Sequence, residues 1–198
     1  MSYERVVWDF DGVLVDSRLE AWRVASEILA LTDIKVDIQS QETFRKYFTQ
    51  DGIISEADQE TLRAMHRLVM NSRAHLLELQ PCLSLVARLN VAAEIVTSSS
   101  VTLVQQALGE QAKLFVNIRG QESDTKGALL RTLSPNAIFI TDTIVDIKRC
   151  HELGLTVIAV GWGYDSIVAL RHSSPDFLVE TLAELEALLD ELKLLRIS

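Results

Sequence analysis

The sequence predicts an α/β protein, a doubly wound parallel sheet with one all-helical insertion. Three observations predict it. A short apolar run before residue 17 reads as a buried strand, and after residue 80 further short apolar runs alternate with helical stretches, the pattern of a parallel sheet covered on both faces. The intervening residues 17–80 contain no run that reads as a buried strand. Several polar residues fall at the carboxyl ends of the expected strands, where such sheets bind ligands. The expected division is therefore a core of residues 1–16 and 81–198 and a helical cap of 17–80.

The elements follow in order. Val6-Val7-Trp8 is a short apolar run that reads as a buried strand, and Asp9-Phe10-Asp11-Gly12 closes it with a turn. Residues 18–31 are expected to be helical, because Leu19, Trp22, Ser26 and Leu29 recur at three- and four-residue steps. A second short helix is expected over 41–48, with a turn signal at Gln50-Asp51-Gly52. A long helix is expected over 56–79, with Leu62, Met65, Val69, Ser72 and Leu76 in helical period, ended by Pro81. Beyond Pro81 the spacing predicts a helix over 83–89, a strand over 93–97, a helix over 101–108 stopped at Gly109, and a strand over 114–118. It then predicts a helix over 126–133, a strand over 137–141, a helix over 144–153 ended by Gly154, and a strand over 156–160. A short strand at 177–179 precedes a last helix, which opens with Thr181 and Glu184 at capping-box spacing.

Composition narrows the function. The 198 residues, 48% of them apolar, suit one core with a modest insertion. The net charge of −9 argues against a nucleic-acid partner, since backbone binding needs clustered Lys and Arg. No apolar run reaches the length of a membrane helix, and no signal pattern opens the chain. Cys82 and Cys150 have neither disulfide nor zinc spacing, so a reduced, cytoplasmic setting is expected.

Four groups of residues carry the chemistry. In an extended backbone, Asp9 and Asp11 project to one face, where two carboxylates repel unless a cation or proton lies between them; a surface turn is the plainer alternative. Thr97-Ser98-Ser99-Ser100 is a hydroxyl run between a strand and a helix, suited either to an anion or to plain N-capping by Ser99 or Ser100. Lys126 stands at an expected helix start, unfavourably for the helix dipole, which suggests that it offsets negative charge elsewhere. Lys113 and Lys148 lie away from any expected site loop. Asp142 and Asp146, four apart, can face one point from a strand end and the first turn of the next helix, although each is also ordinary in a capping role. His66, His75, His151 and His172 suggest no metal site, and Gly161-Trp162-Gly163-Tyr164 reads as a rim-shaping loop without chemistry.

Asp9-Phe10-Asp11-Gly12-Val13-Leu14-Val15-Asp16-Ser17 resembles the first motif of the haloacid-dehalogenase-like hydrolases in its phosphatase form. Thr97, Lys126 and Asp142/Asp146 resemble the second, third and fourth motifs, in the family's order. Two positions depart from the usual pattern: Gly127 follows the lysine where many members have proline, and Thr141 stands where a glycine usually precedes the first aspartate. The resemblance implies a Rossmann-like core with a helical cap, as in phosphoglycolate-phosphatase-like and phosphomutase-like members. It also implies Asp9 as nucleophile, Asp11 as general acid and base, and Lys126 as charge balance. Thr97, Ser98 and Gly12 would hold the phosphate of a small phosphorylated metabolite. Mg²⁺ would be held by Asp9, Asp142, the Asp11 carbonyl and, through water or through Lys126, Asp146. The expected activity is metal-dependent hydrolysis of a phosphomonoester through an aspartyl-phosphate. The alternatives are a sugar-phosphate mutase, whose cap arginines and lysine (Arg18, Arg23, Arg45, Lys46, Arg63, Arg67, Arg73) would grip a second phosphate, and a non-catalytic binding protein on the same fold. A dehalogenase fits worse, because those relatives use no metal and would leave Asp142 and Asp146 without a purpose.

Overall fold

In the computed structural model, which describes residues 3–32, 34 and 55–196, the chain builds outward from β1 (Arg5–Trp8). Val6, Val7 and Trp8 are wholly buried, as a strand paired on both edges and covered on both faces requires. β1 pairs with β4 (Ala92–Val96) on one side and β6 (Ala137–Thr141) on the other. β5 (Asn117–Arg119) lies beyond β4, and β7 (Thr156–Val160) and β8 (Phe177–Val179) lie beyond β6. All five pairings of the β5-β4-β1-β6-β7-β8 sheet are parallel.

The helices are α1 (Arg18–Leu31), α2 (Glu56–Ser72), α3 (Leu83–Val86), α4 (Val101–Leu108), α5 (Lys126–Arg131), α6 (Ile144–Leu153), α7 (Ile167–His172) and α8 (Leu182–Glu191). After β1 the chain visits β4 and β5, then crosses back through α5 to β6, so strand order reverses between β1 and β6. That is where a crevice opens outside the carboxyl ends of a doubly wound sheet. Trp8 lies opposite both Ile95 and Ile140, so Asp9 is level with Val96 and Thr141. Side chains alternate between two cores. Val6, Trp8, Ile138 and Ile140 belong to one, and Val7 and Phe139 belong to the other with Leu129 and Leu130 of α5 and Ile147 and Cys150 of α6. Asp9 and Thr141 continue the parity of Val7 and Phe139 and so face α5 and α6.

Helices α1, α4 and α6 and strands β6, β7 and β8 have the expected bounds. The cap helix does not run to residue 79. α2 ends at Ser72, a 3₁₀ turn spans Ala74–Leu76, and β3 (Glu78–Leu79) pairs antiparallel with β2 (Val15–Asp16). Gln80 precedes Pro81, and a residue before proline is pushed to extended backbone; its amide donates to the Leu14 carbonyl at 2.8 Å and completes the ribbon. The expected 114–118 strand starts late, at Asn117, because a 3₁₀ segment (Gly109–Leu114) follows α4 directly. α7 was not foreseen; it begins at Ser166, whose hydroxyl accepts from Ala169 N at 3.3 Å. The apolar stripe assigned to α1 is also corrected. Leu19 is exposed, and the buried face is Ala21, Val24, Ala25 and Ile28, where two small residues let α2 approach. The expected 41–48 helix, the Gln50-Asp51-Gly52 turn, Arg45 and Lys46 lie outside the described residues.

Candidate active site

Lys126 joins two carboxylates at the centre of the rim. As the first residue of α5 it lies over β1 and β6, and its Nζ donates to Asp9 Oδ2 and to Asp146 Oδ2, each at 2.5 Å. All three side chains are buried. The ammonium also sits 5.3 Å from the centre of the Phe139 ring. Asp146 is brought there by the first turn of α6, capped by Thr143, whose hydroxyl accepts from Asp146 N at 3.3 Å. Its second oxygen accepts from Arg149 at 3.3 Å. Thr141 Oγ1 lies 3.4 Å from Asp9 Oδ2 and 3.2 Å from Asp146 Oδ2, and accepts from Thr143 N at 3.3 Å. The threonine in place of glycine thus adds a hydroxyl to the cluster.

Burial pushes the Asp9 carboxyl up to about 6; Lys126 opposes that rise, and Asp146 and Asp11 add to it. Burial also works against the Lys126 ammonium, but Asp146 and Asp9 outweigh it and raise Lys126 above the ordinary lysine value. Asp146, likewise buried, is nevertheless held below the carboxylate range by Lys126 and Arg149. The two carboxylates share one ammonium at equal distance and differ in their other neighbours: Asp146 has a second cation, Arg149, whereas Asp9 has the negative charges of Asp146 and Asp11.

Asp11 has a different environment. It is half-buried, and its Oδ2 accepts from Ser99 Oγ at 2.6 Å. Thr97 is buried at the end of β4, and its Oγ1 accepts from Ser99 N at 3.0 Å. Ser98 is exposed between them, and Ser100 caps α4 through Leu103 N at 3.0 Å. The hydroxyl run thus divides its work: Ser100 caps, whereas Thr97 and Ser99 shape the loop beside Asp11.

Asp142 is wholly buried, and its Oδ2 accepts from Tyr164 N at 2.6 Å. A Cβ on Gly163 would lie 2.2 Å from Asp142 Oδ2, and one on Gly12 would lie 2.1 Å from the same atom. Only glycine lets both loops press on this carboxylate, and Gly12 further needs its φ of +77°. Gly163→Ala is expected to destabilise the fold by about 1–3 kcal/mol through overpacking, read from the denaturation midpoint, with Gly12→Ala costing more because of its backbone. The loop is fastened elsewhere too. Trp162 Nε1 donates to the Val13 carbonyl at 3.3 Å, Arg18 donates to the Gly163 carbonyl at 2.9 Å, and Tyr164 and Ser17 share a hydroxyl hydrogen bond of 3.0 Å.

No protein-family profile matches the sequence, and no curated protein matches it. Solved structures do. A predicted phosphatase from Clostridium acetobutylicum superposes with a TM-score of 0.81 at 20% identity, over 96% of this chain and 100% of its own. A haloacid-dehalogenase-like family hydrolase from Streptococcus pneumoniae gives 0.73 at 22% identity, over 94% and 98%. A predicted phosphoglycolate phosphatase from Haemophilus somnus gives 0.75 at 18% identity, over 95% and 98%. The chain has the haloacid-dehalogenase-like fold.

Within this haloacid-dehalogenase-like fold, the residues singled out from sequence meet at one rim: Asp9, Lys126 and Asp146 in contact, Asp142 against Gly12, and Asp11 beside the Thr97–Ser99 loop. Sequence reasoning missed Ser99 as the partner of Asp11 and gave the 161–164 loop no chemistry, although that loop holds Asp142. Two glycines at the carboxyl end of an apolar strand were the available signal. Among the described residues, no three His, Cys, Asp or Glu side chains gather as a metal centre, since Asp9 and Asp146 both turn to Lys126. The donor chemistry still suits Mg²⁺, which takes oxygen ligands and commonly needs only one or two carboxylates besides water and substrate phosphate. The Asp142 carboxylate beside the Asp11–Gly12 backbone, with Asp9 nearby, meets that requirement.

Proposed function

We propose that this chain is a Mg²⁺-dependent phosphatase that hydrolyses a small phosphomonoester through an aspartyl-phosphate on Asp9. The observation that carries the reading is the contrast between two carboxylates two residues apart. Asp9 is buried against Lys126 and Asp146, while Asp11 is half-exposed and bonded to Ser99. Two environments for two carboxylates suit two roles, a desolvated nucleophile and an acid/base within reach of solvent. The fold relatives described as phosphatases add to it.

In this reading Asp9 attacks the phosphorus as the ester bond breaks, and Asp11 protonates the departing oxygen. Asp11 then takes a proton from the water that hydrolyses the intermediate. Lys126, with Thr97 and the backbone amides near Ser98 and Gly12, neutralises charge on the transferring group. Asp142, Asp9 and the Asp11 carbonyl would hold Mg²⁺, which supplies charge stabilisation at the phosphoryl oxygens when bound; Asp146 acts by holding Lys126. Residues 17–80 are read as the cap and 1–16 with 81–198 as the core. The β2–β3 ribbon supports that division, because it pairs the chain leaving the core with the chain returning. The cytoplasmic setting is supported by two free, buried cysteines; among the described residues no helix is long and apolar enough to cross a membrane.

The test is phosphate release from a panel of phosphomonoesters, with Mg²⁺ and with chelator. Release that requires metal supports the reading. No release, with a sugar-phosphate isomer accumulating, would favour the mutase. Asp11→Asn is expected to lower kcat by roughly 10²–10⁴-fold, and unchanged kcat in that variant would remove Asp11 from proton transfer.

A further inference from the structure

The cap cations are not equivalent. Arg18 is held by both oxygens of Asp16 at 2.8 and 2.9 Å. Arg73 bridges Glu20 and Glu27 at 3.0 and 2.7 Å, and Arg23 lies 3.7 Å from Glu20. Arg63 donates to the Gln59 amide at 3.0 Å. Arg67 is exposed and has no carboxylate partner among the described residues. Among the described residues its one polar contact is a long one, Nη1 to Gln121 Oε1 at 3.5 Å, too weak to hold the guanidinium in place.

That contact locates Arg67. Gln121 follows β5 on the rim, and its amide donates to the Ser99 carbonyl at 3.1 Å, while Ser99 Oγ donates to Asp11. One turn along α2 from Arg67, Asn71 Oδ1 accepts from Ser100 Oγ at 2.7 Å. The residue before it, His66, donates through Nε2 to the Ala21 carbonyl at 3.0 Å. The 66–71 turn of α2 therefore lies across the mouth beside Asp11 and the Thr97–Ser100 loop. Burial lowers the His66 imidazole below its ordinary value, leaving it neutral at pH 7. Among the described residues, Arg67 is the cap cation placed beside this mouth without a carboxylate partner, whereas Lys126 on the core side is engaged by Asp9 and Asp146.

We infer that Arg67 is a specificity-determining residue that binds a second anionic group on the substrate, a carboxylate or a second phosphate, at the end remote from the ester attacked at Asp9. This rests on the phosphatase reading and deepens it: the substrate class is the small phosphomonoester with a second negative end. A guanidinium presents a planar fork of donors that matches either oxyanion, and one without a carboxylate partner breaks no ion pair to accept it.

The experiment compares kcat/KM for matched substrates that differ only at the remote end: phosphoglycolate against ethyl phosphate, and propane-1,3-diyl bisphosphate against propyl phosphate. Wild type is expected to prefer the charged member of at least one pair, and the pair preferred names carboxylate or phosphate. Arg67→Gln is expected to shrink that preference roughly 10- to 100-fold, as loss of a charged hydrogen bond does, mainly through KM, and Arg67→Lys is expected to restore part of it. An unchanged preference in Arg67→Gln, or no preference in a wild type that hydrolyses both members, overturns the inference and leaves the phosphatase reading standing. Phosphate release from other phosphomonoesters but from neither charged member also overturns the inference, whereas no release from any phosphomonoester in the wider panel overturns the phosphatase reading itself.

Discussion

Asp9→Asn is expected to abolish phosphate release while leaving the protein folded, and in metal-free buffer the variant is expected to be the more stable of the two at neutral pH. The first half follows from chemistry. An amide in place of the carboxylate removes the nucleophile, and the other carboxylate on Lys126, Asp146, belongs to α6 and not to the end of β1. The second half follows from the same burial. Asp9 has a carboxyl raised to about 6 from 3.8, so the native protein binds a proton there that the unfolded chain has released. Below about pH 4 both states are protonated and the group is neutral toward stability. Between pH 4 and 6 the native state keeps its proton and stability falls as pH rises; above 6 the full penalty applies, up to roughly 3 kcal/mol from a shift of about two units. Asparagine carries no such penalty. Melting both proteins in chelator from pH 4 to 8 is therefore expected to give a difference near zero at the acid end that grows to a plateau above pH 6. Wild-type turnover in purified Asp9→Asn would remove Asp9 from the chemistry, and a pH-independent difference would mean that Asp9 is not held in a desolvated state. Stability given up at a reacting carboxylate is a common feature of catalytic sites.

What could be read in the sequence was what local periodicity and strand ends encode. Asp9 and Asp11 were legible because a two-residue repeat at the end of an apolar strand fixes their relation, and Asp142 and Asp146 because a strand end and a first helical turn fix theirs. Lys126 was legible as a misfit, a cation where the α5 dipole disfavours one. What could not be read were contacts made by register and packing between distant segments. The 161–164 loop reaches Asp142 only because β7 lies beside β6, with Ile140 opposite Ile158. Ser99 finds Asp11 only because β1 and β4 end together. The β2–β3 ribbon escaped because two residues are too few to show alternation, while the helical spacing of Leu62, Met65, Val69, Ser72 and Leu76 ran past the true end of α2. Val116 looked like strand and is 68% exposed at the sheet edge, where an apolar run carries no assurance of burial.

Lys126→Met is expected to have the largest effect on stability. The methionine fills the same space, but it leaves Asp9 and Asp146 buried, facing each other across the place where the ammonium stood. Breaking a buried ion pair by removing one partner typically costs 3–5 kcal/mol, which in a chain of this length lowers Tm by roughly 6–20 °C. The direction with pH is fixed by the two carboxylates. Lys126 is the main influence opposing the rise of both carboxyls, so without it Asp9, already above its unfolded value, rises further and Asp146 loses the cation that chiefly holds it down. The variant then binds more protons folded than unfolded, and its deficit relative to wild type is expected to be greatest at pH 8 and to shrink as pH falls toward 4. Adding Asp146→Asn removes one stranded charge and is expected to recover part of the loss, an interaction that a double-mutant cycle measures directly. In the Mg²⁺ assay Lys126→Met is expected to lose roughly 10²–10³-fold in kcat, the effect of deleting one donor to developing charge. If Lys126→Met were as stable as wild type at pH 8, the two carboxylates would have to find water or another cation. The cluster would then be an open, hydrated site, and the raised value for Asp9, on which its role as a desolvated nucleophile depends, would lose its physical basis.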